Sequence, residues 1–185
     1  MKGFIHESTH NESKEWYTPR EIFEGLGLEF DMDPCSPGKK VVPWIPATTH
    51  LTIRENGLIQ PWDGLVFMNP PYGNDTPKWF RRLAEHGNGI GLVFARTDTK
   101  WFHNYIPGAG AVLFIKGRVQ FVPGSTDAYG IPLAFKYAFN QYTPKGGCGA
   151  ASMLVGYGRE ATKALLHSNL GQTFVPANNE GEWRC

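Results

Sequence analysis

Two prolines flanked by an asparagine and a tyrosine are the residues in this sequence best suited to do chemistry. Asn69, Pro70, Pro71 and Tyr72 directly follow residues 65–68, an apolar run typical of a strand buried on both faces. Open α/β sheets bind their ligands at such carboxyl ends of strands. Because proline has no N–H donor, the Asn69 side-chain oxygen and nearby carbonyl oxygens can be presented together as acceptors. Acceptors of this kind suit the hydrogens of an exocyclic amine, and the Tyr72 ring can stack on the base that carries it.

The simpler interpretation of the same four residues is a proline-rich turn after a core strand. The strand that precedes them favours the functional interpretation, because the motif needs that structural context to work.

The tetrapeptide resembles the catalytic motif of amino-methyltransferases that use S-adenosylmethionine, and the Asn-Pro-Pro-Tyr spelling favours adenine N6 over cytosine N4. Further segments extend the resemblance to the phage-type DNA N-6-adenine-methyltransferase family over residues 16–158. In order, these segments are WYTP at 16–19, DMDPC at 31–35, NGL at 56–58, PW at 61–62, NPPYG at 69–73, ARTDT at 95–99, WFH at 101–103 and GRVQF at 117–121.

The resemblance implies a DNA-modifying enzyme that transfers a methyl group from S-adenosylmethionine to adenine N6, phage- or prophage-encoded and acting in the cytoplasm of a bacterial host. In the implied catalytic site, Asn69 and the Pro70 carbonyl accept the amine's hydrogens, Pro71 fixes the turn and Tyr72 stacks on the base. The implied cofactor site consists of Tyr17, Thr18, Pro19, Asp33, Pro34, Cys35 and Asn56. In it, Asp33 faces the ammonium group of the cofactor.

Several of these residues also have local explanations. Thr18-Pro19 followed by Glu21 is a capping box that begins a helix, although free amides at a helix N-terminus also attract a carboxylate. Asn56-Gly57 is equally a common turn pair. The sequence departs from the family pattern after Asp33, where a glycine-rich turn is usual, and it predicts no clear second strand with an acidic residue for the ribose.

DNA binding would depend on local basic patches, because 18 basic and 17 acidic residues give a net charge of only +1. The candidates for phosphate contacts are Lys78, Arg81, Arg82, Arg96 and Arg118, with Lys116, Lys136 and Lys145 as further possibilities. Taken singly, each is also compatible with an ordinary solvated surface, and Asp98 near them is interpreted as a helix cap.

Length and composition favour a single soluble domain. The 185 residues are 41% hydrophobic and 19% charged, which excludes a disordered chain, and no apolar run is long enough to span a bilayer. We expect a flexible arm over residues 1–15 and one methyltransferase domain over 16–185, with a monomer as the default. No metal is expected, because Cys35, Cys148 and Cys185 form no CxxC pair and His6 and His10 lie in the polar arm.

An alternation of short strands and helices predicts a compact α/β fold, which the resemblance identifies as an abbreviated Rossmann-like methyltransferase sheet with flanking helices. The predicted helices cover about 19–26 (ended by glycines 25 and 27), 76–86, 100–105 and 160–166. The predicted strands cover 28–33, 65–68, 91–95, 111–115, 135–142 and 152–157, and residues 50–53 are a candidate for a further short strand. Residues 36–49 are predicted as loop because of their prolines.

Two other functions are compatible with the sequence. The first is the same chemistry on RNA or on a protein amide, where this motif also occurs. The second is a DNA-binding protein that keeps the fold and has lost its cofactor, which would explain the absent glycine-rich turn.

Overall fold

In this computed structural model, residues 15–146 and 148–177 are described. The expected N-terminal arm, with His6 and His10, therefore lies almost entirely outside the described residues, and so does Cys185. Among the described residues no helix has the length and apolar character needed to cross a membrane.

The described residues form nine strands and five α-helices. The strands are β1 (Trp16–Tyr17), β2 (Phe30–Asp33), β3 (Ala47–His50), β4 (Val66–Met68), β5 (Gly89–Phe94), β6 (Ala111–Ile115), β7 (Val122–Pro123), β8 (Ser152–Tyr157) and β9 (Gly171–Phe174). The helices are α1 (Arg20–Leu26), α2 (Thr76–His86), α3 (Lys100–Tyr105), α4 (Leu133–Ala138) and α5 (Arg159–His167).

Seven of these strands form one mixed sheet in the order β3-β2-β4-β5-β8-β6-β9. Strands β2 to β5 are parallel, and β8 is antiparallel to both β5 and β6. Strands β2 to β6 therefore all have their carboxyl ends at one edge. The chain turns from β2 to β3 on one side and returns to β4 on the other, so the topological switch point lies between β2 and β4. This mixed sheet with its switch point is Rossmann-like, as the sequence analysis predicts.

Helices cover both faces of the sheet. One buried cluster packs α1 and α5 against Phe30, Phe67 and Leu92, and the other packs α2 and α3 against Met68 and Val93. Because neighbouring residues of a strand point to opposite faces, β4 supplies side chains to both clusters. Its complete burial confirms the strand that the apolar run before Asn69 predicts.

The outer edge of the sheet carries the strand that the sequence left uncertain. It is β3, which lies three residues before the predicted 50–53 segment and pairs in parallel with β2. The prolines at 43 and 46 precede it, so they do not prevent its pairing.

The predicted strand over 135–142 is wrong, because this segment contains the end of α4. Its alternating aromatic residues imitate a strand, but Ala134 and Tyr137 are the buried pair, three residues apart on one helix face. Phe135 and Phe139 are both exposed, and their ring centroids lie 4.8 Å apart.

The capping box at the start of α1 is also wrong. Pro19 occupies the N-cap position and no side chain caps the helix. Glu21 instead accepts a hydrogen bond from the Tyr137 hydroxyl at 3.0 Å. The helix continues through Gly25 and ends at Gly27, whose φ of 61° is the left-handed conformation that favours glycine.

Two short pairings were not anticipated. Strand β1 pairs antiparallel with β7 in a separate ribbon, and β9 extends the main sheet beyond β6. The ribbon brings residues 16 and 17 over the edge of the sheet where the motif lies.

Candidate active site

The two motifs that the sequence analysis singled out meet at the switch point. Asp33 ends β2 and is followed by Pro34 and Cys35, while the Asn69 to Tyr72 segment follows β4 in the adjacent position of the sheet. Between them and the ribbon lies a cavity of about 760 Å³, a size typical of small-molecule sites. The predicted residues that line it are Tyr17, Thr18, Asp33, Pro34, Cys35, Asn56, Asn69, Pro70, Pro71 and Tyr72.

Pro19 is the one predicted cofactor residue that does not line this cavity. It borders a second cavity of about 420 Å³, together with Arg118 and Tyr142. Its backbone is extended, with φ −73° and ψ 156°, and it leads the chain from the ribbon into α1.

The Asn69 amide is held from both ends. Its nitrogen donates to the Trp16 carbonyl at 3.0 Å, and its oxygen accepts from the Tyr72 hydroxyl at 3.0 Å. Because Trp16 lies in the ribbon, the pairing of β1 with β7 fixes the direction in which the Asn69 oxygen points.

The Tyr72 ring lies in an aromatic stack. It is parallel to the Phe94 ring within 15°, at a centroid distance of 4.2 Å, and meets Phe121 edge-on at 6.2 Å. Burial raises the pKa of the Tyr72 hydroxyl, which therefore stays a hydrogen-bond donor at neutral pH. Phe94 covers one face of the ring, so a planar ligand can stack only on the opposite face.

The turn after the motif is braced by the first residue of α2. The Thr76 hydroxyl accepts from the Gly73 N–H and donates to the Pro71 carbonyl, both at 3.1 Å. The Pro71 carbonyl is thereby occupied.

The carboxyl group of Asp33 is buried, with 4% of the residue exposed. It accepts a hydrogen bond from the Cys35 N–H at 3.2 Å, but burial dominates and raises its pKa to about 7. Burial also raises the pKa of the neighbouring Cys35 thiol, so Cys35 is neutral at physiological pH. None of the ion pairs among the described residues involves Asp33.

Thr18 has a buried hydroxyl for which the described residues provide no hydrogen-bond partner. The residue is 1% exposed, lines the cavity and is fixed through its carbonyl, which accepts from the Trp44 indole at 2.8 Å. Buried polar groups without partners are rare, and this hydroxyl is available to a ligand in the cavity.

The Asn56-Gly57 turn also lines the cavity. Asn56 has a φ of 56° and accepts from the Leu58 N–H at 3.3 Å, so it is a turn residue and a cavity residue at once. Gly57 lies so close to Pro34 that a Cβ atom would come within 1.8 Å of the Pro34 carbonyl oxygen. Only glycine fits at this contact.

A single comparison with known proteins found a match. A family model described as DNA N-6-adenine-methyltransferase (Dam) matches residues 6–131, more than half of the chain. The chain belongs to the Dam family. No curated protein and no solved structure was found to match. The family is one of DNA methyltransferases, and the matched range includes every residue that lines the 760 Å³ cavity.

In this Dam family member, the end of β3 carries a histidine and not the acidic residue that would be usual for binding a ribose. His50 hydrogen-bonds through Nδ1 to the Ser36 hydroxyl at 2.7 Å and through Nε2 to the Ala47 carbonyl at 3.0 Å. Burial and the nearby Lys39 lower its pKa. Ser36 also accepts from the Gly38 N–H, so this network orders the turn that replaces a glycine-rich loop.

Four of the five predicted DNA-contacting residues are exposed. Three of them form surface ion pairs: Lys78 with Asp75 at 2.8 Å, Arg81 with Glu85 at 2.7 Å, and Arg96 with Asp98 at 3.2 Å. The interpretation of Asp98 as a helix cap is wrong, since Thr99 is the N-cap of α3 and has no capping side chain. Arg118 is the fourth exposed residue, and it follows the carboxyl end of β6.

The fifth, Arg82, is half-buried and directs its guanidinium at backbone carbonyls of the segment before β4. Among the additional lysines, Lys136 is paired with Asp127. No group of three or more metal-ligating side chains occurs within the described part of the chain.

Two residues that position the Asn69 to Tyr72 segment, Phe94 and Trp16, were not among the predicted site residues. Phe94 follows the same rule as Asn69, since it ends a parallel strand at the same edge, and this signal was available. Trp16 acts through its carbonyl group, which no side-chain pattern reveals.

Proposed function

We propose that this chain transfers a methyl group from S-adenosylmethionine to the N6 amine of adenine in DNA. The observation that carries the proposal is the single cavity shared by the Asn69 to Tyr72 motif and the Asp33 carboxyl at the switch point of the sheet. Membership of the Dam family supports the reaction class, and the rest of the proposal depends on the chemistry of the lining residues.

The residues present fit S-adenosylmethionine as the methyl donor. Asp33 would pair with its ammonium group, and the unsatisfied Thr18 hydroxyl would hydrogen-bond to its carboxylate. Tyr17, Pro34, Cys35 and Asn56 would complete the walls of its site. The donor supplies a methyl group already activated by a sulfonium, so this chain needs no strong general base.

Asn69 and Pro70 would orient the amine for attack. The Asn69 oxygen has two lone pairs, so it can accept an amine hydrogen while it keeps the bond from the Tyr72 hydroxyl. The Pro70 carbonyl would accept the second hydrogen, and Pro71 would keep the turn rigid. These acceptors favour the pyramidal, nucleophilic form of the amine, and its extra proton leaves to water after transfer.

Tyr72 would stack on the adenine through the face opposite Phe94. In a duplex the target base must leave the helix to reach this position. Lys78, Arg81, Arg96 and Arg118 would contact phosphates around the opening, because the elements that carry them start or end at the carboxyl edge of the sheet.

The test is transfer of radiolabelled methyl from S-adenosylmethionine to unmethylated DNA, followed by nucleoside analysis. We expect N6-methyladenine from the wild type and at least a hundredfold less from Asn69→Ala, because the acceptor that activates the amine is lost. Calorimetric titration with S-adenosylmethionine serves as the control, and both proteins should bind it.

No incorporation by a folded wild type that binds S-adenosylmethionine would exclude DNA as the substrate and favour RNA or a protein amide. No binding of S-adenosylmethionine at all would favour a DNA-binding protein without the activity.

A further inference from the structure

One face of α2 packs against the segment that leads into β4. Trp79, Arg82 and His86 lie on this face at helical spacing, and each contacts residues between 57 and 64. The His86 ring, for example, hydrogen-bonds to the Gly64 carbonyl at 2.9 Å.

Arg82 makes the central contacts of this face. Its two terminal nitrogens donate to the carbonyls of Leu58 and Gln60, and the guanidinium lies over the Trp62 ring at 5.0 Å from the centroid. Its Nε is buried. A planar fork that serves two carbonyls and stacks on an indole is a role that lysine cannot reproduce.

Trp62 connects Arg82 to Gly57 in the wall of the cavity. Its indole N–H donates to the Gly57 carbonyl at 2.7 Å, and its ring stacks on Trp79 at 6.3 Å. Gly57 in turn packs against Pro34, which follows the cofactor-side strand β2.

The same helix therefore touches both halves of the site. At its first residue, Thr76 braces the Pro71 carbonyl, and less than two turns later Arg82 holds the 57–62 segment. Arg81, the adjacent residue in sequence, points away, with 66% of its side chain exposed.

We propose that Arg82 is a positioning residue that fixes the Asn56-Gly57 wall of the cofactor site to α2, and that it is not a DNA phosphate contact. The proposal rests on the proposed function, because it assumes that this wall binds S-adenosylmethionine. The charge of Arg82 alone suggests a contact with DNA, whereas its observed partners belong to the wall proposed to bind the cofactor.

The test compares Arg82→Gln and Arg82→Lys with Arg81→Gln, which removes one charge from the same helix. Two quantities are measured for each: the Kd for S-adenosylmethionine by calorimetry, and the Kd for a short DNA duplex over a range of salt concentrations. Thermal unfolding checks that each variant is folded.

We expect both Arg82 variants to weaken S-adenosylmethionine binding by about tenfold, since small displacements of a binding wall have effects of this size. Their DNA salt dependence should match the wild type. Arg81→Gln should retain the wild-type Kd for S-adenosylmethionine. Trp62→Phe, which removes the bond to Gly57 and keeps an aromatic ring, should weaken the same binding step and gives a second route if Arg82→Gln does not fold.

The proposal is overturned if Arg82→Gln lowers DNA affinity and reduces the salt dependence while S-adenosylmethionine binding is unchanged. It is also overturned if Arg82→Lys, which keeps the charge, behaves as the wild type in cofactor binding. A wild type that does not bind S-adenosylmethionine would contradict the proposed function itself, so the two failures are distinguishable.

Discussion

At the scale of single residues, Tyr72 combines two roles that can be separated. Its hydroxyl donates to the Asn69 oxygen, while its ring stacks on Phe94 with one face and would offer the other to a base. In the proposed reaction, the hydroxyl would orient the Asn69 acceptor and the ring would provide the stacking surface for the base.

We expect Tyr72→Phe to lower kcat/KM by about fivefold, because it removes one neutral hydrogen bond, whereas Tyr72→Ala should lower it by about a hundredfold through lost stacking. The measurement is steady-state methyl transfer to DNA, with calorimetry to show that cofactor binding persists. Equal losses in the two variants would contradict a stacking role for the ring.

The raised pKa of Asp33 predicts that cofactor binding depends on pH. Its pKa of about 7 means that near neutrality about half of the molecules carry an uncharged carboxyl. Pairing with an ammonium group requires the charged form, so S-adenosylmethionine affinity should rise as the pH increases from about 6 to 7.5, below the pKa of the ligand's amine at about 8. Calorimetry across this range measures the effect.

Asp33→Asn is the control for this prediction: it should bind the cofactor more weakly and show a flat pH profile. The same pKa shift acts on stability in the opposite sense. Between pH values near 3.8 and near 7 the folded chain keeps a proton that the unfolded chain has released, so Asp33 makes the protein less stable as pH rises. A wild type whose cofactor affinity does not vary with pH would count against the Asp33 contact.

At the scale of elements, the 56–62 segment contacts the residue after β2, and both line the cavity proposed to bind the cofactor. Gly57 approaches Pro34 closely, and the missing side chain is what allows Pro34 to lie against it. Both walls of the site therefore move if this contact is widened.

We expect Gly57→Ala to weaken S-adenosylmethionine binding by at least tenfold and to lower the free energy of unfolding by about 1–3 kcal/mol, since the added methyl group meets backbone. Gly108→Ala is the matched control, because a Cβ atom at Gly108 meets nothing within 4 Å. Calorimetry and thermal unfolding of both variants give the comparison. If the two variants bind alike, the close approach does not shape the site.

At the scale of the whole molecule, a net charge of +1 gives little general attraction for DNA. In the proposed mode of binding, affinity would then depend on the basic side chains near the carboxyl edge of the sheet. Lys78, Arg81 and Arg96 are paired with exposed carboxylates, which phosphates can replace at little cost because exposed pairs contribute little stability.

We expect replacement of Lys78, Arg81, Arg96 or Arg118 by glutamine to reduce the slope of log Kd against log salt by about one for each residue that contacts a phosphate. Lys163→Gln on α5 is the control, because α5 begins at the opposite edge of the sheet. The measurement is DNA binding by fluorescence anisotropy at several salt concentrations. A slope that none of the four variants changes would place the DNA on another face.

Local patterns were sufficient for many parts of this protein. The apolar run of β4, the Thr76-Pro77 start of α2 and the Asn69 to Tyr72 motif each depend on neighbours in sequence, and α3, β6 and β8 have their predicted bounds. The rule that ligands bind at carboxyl ends of parallel strands then placed Asp33 and Asn69 at one edge, and both line the same cavity.

Contacts between distant residues decided what the local patterns could not. Alternating aromatics at 135–139 are compatible with a strand or a helix, and only the burial of Ala134 and Tyr137 selects the helix. The position of Glu21 suggested part of a helix cap. Its carboxylate instead accepts a hydrogen bond from the Tyr137 hydroxyl, 116 positions away in sequence. The charge of Arg82 suggested DNA, although its partners are carbonyls brought close by α2. Sequence spacing determines which backbone conformations are favourable, whereas the partner of each polar group depends on which remote segments the sheet brings together.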